Sequence, residues 1–366
     1  MEIEVRPYEE GDEKQVIEML ENCFPGWPER DLEYSKVDFY QWKYRDNPLG
    51  KNISYLMFDN SRVIGSNHGI LLNVKVGDSV VITSCGSDLC VHPDYRRKGL
   101  TNNMKIERNK AREKYGVYFN YSAAENPIVL GNRVKRGTPI FPHQPTELVW
   151  INDVSLHLKM KKSTWAGFKV PAYKLMQSYS KFKNIIHNDL GYDNSFTISE
   201  ISRFDKTIDS FVEKVIPYYN FMIVRDQKYM NWRYCDLRGG HFYKYQAVGD
   251  GGLLGYVVLR INKHDPEYFT GWIVDLLALP GRLDVVSALT DKALEFFVAN
   301  SVNVVRCWLI KNHEYGSVLS EKGLLDISKV TPEISARPMK EWEGFDKLMK
   351  SKPSELHLMI GDTEYL

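Results

Sequence analysis

Residues 88–103 gather the residue types that could hold a diphosphate. A β-type run, Leu89-Cys90-Val91, breaks at His92-Pro93, because Pro93 cannot donate to a strand ladder. Three consecutive cations, Arg96, Arg97 and Lys98, precede Gly99, where the pattern predicts the start of a helix. A helix start offers unpaired N–H groups and the positive end of the macrodipole, and Gly99 lets the main chain approach a ligand closely. Leu100 and Thr101 open the helix, the threonine adding a hydroxyl, and the segment reads as a pyrophosphate site. Basic triplets are mostly solvated loops; the order strand, proline, cations, glycine, helix is what lifts this one above that reading. A P-loop is excluded, since Gly-x-x-x-x-Gly-Lys-Ser/Thr occurs nowhere. Gly249, Gly251, Gly252 and Gly255 do not spell Gly-x-Gly-x-x-Gly and fit a hairpin.

Basic residues ahead of a glycine at a strand–helix turn resemble the fingerprint of the GNAT superfamily of N-acetyltransferases, Gln/Arg-x-x-Gly-x-Gly/Ala. Arg96, Gly99 and Thr101 stand at its three positions, and Val91-His92-Pro93-Asp94-Tyr95 resembles the family's fourth strand and following turn. The resemblance implies an N-acyltransferase with acetyl-CoA as co-substrate and no metal. It implies that main-chain groups of Leu89, Cys90 and Val91 pair with the pantetheine arm. It also implies that Arg96, Arg97, Lys98, Gly99, Leu100 and Thr101 cradle the pyrophosphate, and that Asn126 touches the coenzyme where two strands splay. Thr101 departs from the usual Gly or Ala. A second departure is Arg133, four residues before Gly137, where family members often carry a tyrosine.

An amine attacking a thioester must lose a proton, its oxyanion must be stabilised, and the leaving thiolate must gain a proton. A main-chain N–H near Cys90 or Val91 is the expected oxyanion donor. Asp88 and Glu125, at the ends of neighbouring strands, are the candidate bases, and Tyr121 is the candidate acid in place of the missing tyrosine. Each has a bland alternative: Asp88 as a hydrogen-bond partner within the sheet, Tyr121 as a packed aromatic. His92 reads as a turn residue, His68 and His143 lack a surrounding motif, and Cys85 and Cys90 read as core thiols.

The elements that would position these groups occur twice. Trp42-Lys43-Tyr44 and Trp232-Arg233-Tyr234 are offset by 232 − 42 = 190, as are Gly65 and Gly255 (255 − 65 = 190). Asp88 and Asp275 differ by 275 − 88 = 187, Asn126 and Asn312 by 312 − 126 = 186, and Gly137 and Gly323 by 323 − 137 = 186. The drift is what changes in loop length produce. The chain is therefore expected to be α+β, with two GNAT-type mixed β-sheets flanked by helices in tandem. Residues 1–150 are the expected acyl-CoA-binding domain, 151–195 a helical connector, and 196–366 a second, degenerate domain. In the second copy Ala278-Leu279-Pro280-Gly281-Arg282-Leu283 stands where the fingerprint should be, without the cation cluster. The Trp-basic-Tyr triplet is similar to one found in tandem GNAT-like proteins, and its repetition without the fingerprint favours a structural role.

Composition bounds the rest. Of 366 residues, 48 are Lys or Arg and 47 Asp or Glu, so net charge gives no reason to expect nucleic acid or a membrane as partner. No apolar run approaches the ~20 residues of a membrane helix. Five scattered cysteines without a Cys-x-x-Cys pair fit reduced thiols of a cytoplasmic protein, not a zinc site. The expected partner is a small-molecule amine, an amino sugar ranking first by family resemblance alone. Two alternatives stay open: a FemABX-like aminoacyltransferase, which does not need a pyrophosphate loop, and a non-catalytic acyl-CoA-binding module.

Overall fold

The computed structural model describes residues 3–28, 31–160, 195–326 and 332–365. Two compact units emerge, and neither is a contiguous half of the chain. The first comprises residues 1–142, 228–240 and 333–350, and the second residues 143–227, 241–332 and 351–366. The expected connector at 151–195 opens with a helix at Val154–Met160; its residues 161–194 lie outside the described residues.

In the first unit β1 (Ile3–Pro7), β2 (Tyr55–Asp59), β3 (Arg62–Val76) and β4 (Ser79–Val91) form an antiparallel run. β5 (Phe119–Ala124) then joins β4 in parallel, and β14 (Glu333–Pro338) closes the edge antiparallel to β5. The sheet order is β1-β2-β3-β4-β5-β14. β3 is buried along almost its whole length, as expected of a central strand covered on both faces. β4 is one long strand interrupted by a bulge, and the β-type run Leu89-Cys90-Val91 is its last part.

Helices cover this sheet for reasons visible in their residues. α1 (Glu13–Cys23) buries Val16, Ile17, Met19 and Leu20, an apolar stripe at helical spacing. α2 (Lys36–Tyr44) starts at a reciprocal Ser35/Asp38 capping box and buries Phe39, Tyr40, Trp42, Lys43 and Tyr44. α3 (Thr101–Lys114) ends where Gly116, at φ +67°, donates to Glu113 while Val117 donates to Arg112. This left-handed cap satisfies the last carbonyls and makes the glycine a stop signal. α4 (Pro127–Lys135) ends in the same way at Gly137.

The second unit repeats the plan. Its sheet runs β13 (Leu325–Asp326), β6 (Pro145–Ile151), β12 (Val304–Ile310), β11 (Thr270–Ala278), β10 (Gly252–Asn262), β9 (Tyr243–Gly249), β7 (Phe196–Glu200). α5 (Val154–Met160), α6 (Thr207–Val215), the short strand β8 (Phe221–Ile223), α8 (Leu283–Ala299) and α9 (Tyr315–Glu321) belong to the same unit. The hairpins β2–β3 and β9–β10 sit where the repeat predicts them. The last strands are exchanged: β6, which ends the first copy in sequence, pairs with β12, and β14, from the second copy, pairs with β5.

The repeated tryptophans explain another exchanged segment. Most of α7 (Gln227–Cys235) belongs to the first unit, where Trp232 stacks on Trp42 at 5.1 Å between ring centroids. Each indole N–H donates to the other residue's carbonyl, at 2.9 and 3.1 Å. The triplet's tryptophans thus satisfy one another, which is the structural role their repetition favours.

Candidate active site

The site grows out of a fork between β4 and β5. Their parallel pairing runs Thr83–Phe119, Ser84–Asn120 and Cys85–Tyr121, and stops there. From residue 86 on β4 and 122 on β5 the strands part, each held to its other neighbour. On β4 the departure coincides with a bulge: Ser66 pairs with Cys90 but His68 with Ser87, so Asp88 and Leu89 together oppose Asn67. Asp88 has φ +42°, and Leu89 turns outward, 45% exposed.

A buried polar cluster holds this bulge. The Asp88 carboxylate accepts from the Lys43 ammonium at 3.2 Å, the Trp27 indole at 3.2 Å and the Tyr44 hydroxyl. Burial alone would raise the Asp88 pKa; Lys43, with His68 and Tyr44, overrides it and keeps the carboxyl below its usual range. The Asp88 carbonyl accepts from Ser66 Oγ at 2.9 Å and faces His68 Nδ1 at 3.3 Å. A carbonyl only accepts, so Nδ1 carries the proton and Nε2 accepts from the Tyr40 hydroxyl at 2.7 Å. Burial pushes the fully buried His68 down to about 4, so the ring is neutral at physiological pH. Sequence reasoning missed Lys43 and His68 as partners of Asp88. The repeated Trp-basic-Tyr triplet was the available signal for Lys43, and His68 had none.

After β4 the chain makes a short 3₁₀ turn at Pro93–Tyr95, capped by His92, and enters the cation loop. Arg97 (φ +65°) and Gly99 (φ +74°) are both left-handed, and Leu100 returns to the right-handed region. Among the described residues the main-chain N–H groups of Arg97, Lys98, Gly99 and Leu100 donate to no carbonyl. Alternating handedness of this kind turns successive N–H groups into an anion-binding concavity, here at the N-terminus of α3. Arg97, Lys98 and Gly99 are exposed and Thr101 is the first residue of α3. Lys98 lies over the Tyr95 ring at 4.9 Å, and Arg96 turns back so that Nε donates to the Val91 carbonyl at 3.0 Å.

That turn places Arg96 beside a thiol. Cys23 Sγ is 3.5 Å from the Val91 carbonyl and 3.8 Å from Met19 Sδ, while Cys90 Sγ is 3.3 Å from the same sulfur. A hydrogen bond from Cys90, aided by Arg96 and opposed by burial, lowers Cys23 to about 7; the same bond and burial push Cys90 up. Cys90 and Cys85 are buried, as core thiols should be, but the Cys23–Cys90 contact was not foreseen.

The remaining candidates separate. Tyr121 is fully buried, with Phe119 as a ring neighbour at 6.4 Å. Glu125 is exposed, directly after the last residue of β5. Asn126 caps α4, its side chain accepting from the Ile128 N–H at 2.9 Å. Arg133, in the place of the family's tyrosine, ties α4 to the sheet through the Ser122 carbonyl at 3.0 Å and the Glu333 carbonyl at 2.8 Å. Among the described residues no group of His, Cys, Asp and Glu could hold a metal ion, and no helix is long and apolar enough to cross a membrane.

The second unit has the same fork with different contents. β11 and β12 pair in parallel as far as Ile273 and Cys307. Asp275, the counterpart of Asp88, is again a buried anion: Arg225 Nε donates to it at 3.0 Å and the Tyr256 hydroxyl at 2.9 Å. Side chains occupy the β11 main chain beyond it. The Leu276 N–H meets Met359 Sδ at 3.1 Å, the Leu276 carbonyl meets His357 Nε2 at 3.1 Å, and the Ala278 N–H donates to the Tyr315 hydroxyl at 3.1 Å. The cation nearest the following helix, Arg282, is paired with Asp284 at 2.6 Å.

Comparison with known proteins agrees with this layout. Residues 4–127 match the family model of the acetyltransferase (GNAT) domain. No curated protein matches the chain by sequence. Among solved structures, a tandem GNAT protein from the clavulanic acid biosynthesis pathway is similar at TM-score 0.56 and 14% identity, covering 93% of this chain and 100% of that one. A probable N-acyltransferase from Enterococcus faecalis V583 is similar at TM-score 0.60 and 14% identity, covering 93% and 73%. Eis1 from Mycobacterium abscessus is similar at TM-score 0.55 and 13% identity, covering 92% and 74%. At such identities the structural likeness speaks to fold. The chain thus has a tandem GNAT fold, and its residues 4–127 match the acetyltransferase (GNAT) domain family.

Proposed function

We propose that residues 4–127 transfer an acyl group, acetyl first among them, from its coenzyme A thioester to a primary amine. The observation that carries this reading is the conjunction at one end of the sheet: a strand fork beside a loop whose N–H groups at 97–100 are free to bind phosphate. In it, residues 96–101 hold the diphosphate and residues 89–91 border the pantetheine arm. The amine nitrogen attacks the thioester carbonyl, a C–N bond forms as the C–S bond breaks, one proton leaves the nitrogen, and the departing thiolate takes one up. Glu125, exposed at the end of β5, is the base in this reading. Asp88, ion-paired with Lys43, holds the bulge in place instead of exchanging protons, and Tyr121 stays a core aromatic. The acceptor is a small amine or amino sugar.

The burial of Asp88 and Tyr121 also favours one second reading, a domain that binds acyl-CoA without turnover. Release of free thiol from acetyl-CoA, followed with a panel of amino sugars, polyamines and peptide amines, decides between them. Amine-dependent release that falls at least about tenfold in Glu125→Gln supports transfer with Glu125 as base. Binding of acetyl-CoA with no release for any amine contradicts transfer and leaves the binding module.

A further inference from the structure

A second cationic site lies on the α3 face of the first unit's sheet, away from the 96–101 loop. Strand register sets up a row across the sheet: Ser84 pairs with Asn120, and Asn120 with Arg337. Residues in register on adjacent strands share a face, and Arg108 of α3, donating to Ser84 Oγ at 3.3 Å, identifies it as the face that α3 covers. Lys105, Arg108 and Arg112 form one stripe of α3, at spacings of three and four. Arg112 lies one turn beyond Arg108 on that stripe, close enough to Arg337 for the two charges to repel. Arg136 closes the trough from the end of α4, which Arg133 pins to β5 and β14.

Beside Arg108, which is tied to Asn67 and Ser84, Lys105, Arg112, Arg136 and Arg337 lie within reach of one another's charge, and what surrounds them does not neutralise them. Burial and then the Arg337 charge push Arg112 down to about 10; burial, Arg136 and Arg337 lower Lys105; no carboxylate contributes to either. Arg112 Nε is buried without a hydrogen-bond partner, and so is Asn120 Oδ1. Burying a cation among cations is unfavourable unless an anion compensates. Arg136 and Arg337 are exposed, so the trough is open to solute. Arg112 lies eleven residues beyond Thr101, ~16 Å along the helix at its usual rise, so this is not the pyrophosphate loop.

We propose that Lys105, Arg112, Arg136 and Arg337, with Asn120, bind a phosphate group. Its source is either the 3′-phosphate of coenzyme A or a separate phosphorylated molecule, and the site stands whether or not acyl transfer occurs. The probe is inorganic phosphate, added to the full chain at constant ionic strength against chloride, with melting temperature as the readout. Phosphate raises the melting temperature of the wild type, and Arg337→Glu, which supplies a carboxylate at an exposed position, melts higher in chloride and shows a smaller phosphate shift, the remainder being what the 97–100 loop binds. Arg112→Gln shows the same reduction. An equal phosphate shift in the wild type and Arg337→Glu, or none in the wild type, overturns the proposal. Coenzyme A and its 3′-dephospho form then separate the sources. A preference of about tenfold for coenzyme A that vanishes in Arg337→Glu assigns the 3′-phosphate. Equal affinities beside a positive phosphate response assign a separate phosphorylated ligand.

Discussion

Replacing Lys43 with Met tests the cluster that shapes the β4 bulge. The substitution keeps most of the side-chain volume and removes the charge, leaving the Asp88 carboxylate buried without its cation. Breaking a buried pair by removing one partner costs ~3–5 kcal/mol. Asp88 keeps the Tyr44 and Trp27 hydrogen bonds and its side chain is 12% exposed, so the lower end, about 3 kcal/mol, is expected. That is a fall of ~6–12 °C in the melting of a unit this size. The pH dependence follows from the direction of the shift. In the wild type the Asp88 pKa is depressed, so its contribution is present above the unfolded value near ~3.9 and is lost as pH falls through the lower folded value. Without Lys43, burial dominates and the folded pKa rises above the unfolded one. The deficit of the variant is then full at neutral pH and shrinks as acid protonates Asp88. Urea unfolding of wild type, Lys43→Met, Asp88→Asn and the double variant at about pH 7.5 and pH 4.5 measures both effects. A deficit below ~1 kcal/mol, or one of the same size in the Asp88→Asn background, would refute the assignment.

Three further outcomes are expected. Cys23 alkylates with iodoacetamide at half-maximal rate near its pKa of about 7, and Arg96→Ala moves that midpoint upward; peptide mass spectrometry against pH reads it, and an unchanged midpoint removes Arg96 as the cause. Gly239→Ala places a Cβ 2.5 Å from the Trp42 ring and costs ~1–3 kcal/mol of stability, with a red shift of tryptophan emission as the stack opens; wild-type stability and emission would contradict the packing. Arg133→Tyr, which restores the family's residue, loses the ties to Ser122 and Glu333 and lowers stability by ~1–3 kcal/mol without gaining activity. Higher turnover in that variant would show that the tyrosine role is merely missing here.

What could be read in advance was local. The cation loop and the hairpin glycines at 249–255 rest on residues within one turn or one strand pair, where side-chain type dictates geometry. The repeat was legible because its tryptophans, glycines and aspartates kept their order. Strand exchange was not, since Pro145–Ile151 would pair as well with one sheet edge as another and nothing within it names its partner. Asp88 reads from the sequence as either a base or a hydrogen-bond partner within the sheet, because the cation opposite it sits 45 residues earlier in the chain. His68 and the Cys23–Cys90 contact were hidden for the same reason: they are made by tertiary packing across β3, β4 and α1.

Isothermal titration of acetyl-CoA into the wild type and into Arg96→Ala/Arg97→Ala tests the central claim most directly. A single saturable site per chain, lost in the double variant, is expected, because among the described residues the first unit alone keeps an open cation loop while the second fills its fork with Met359, His357 and Tyr315. Two sites per chain, undiminished binding in the variant, or no heat with either protein would contradict it.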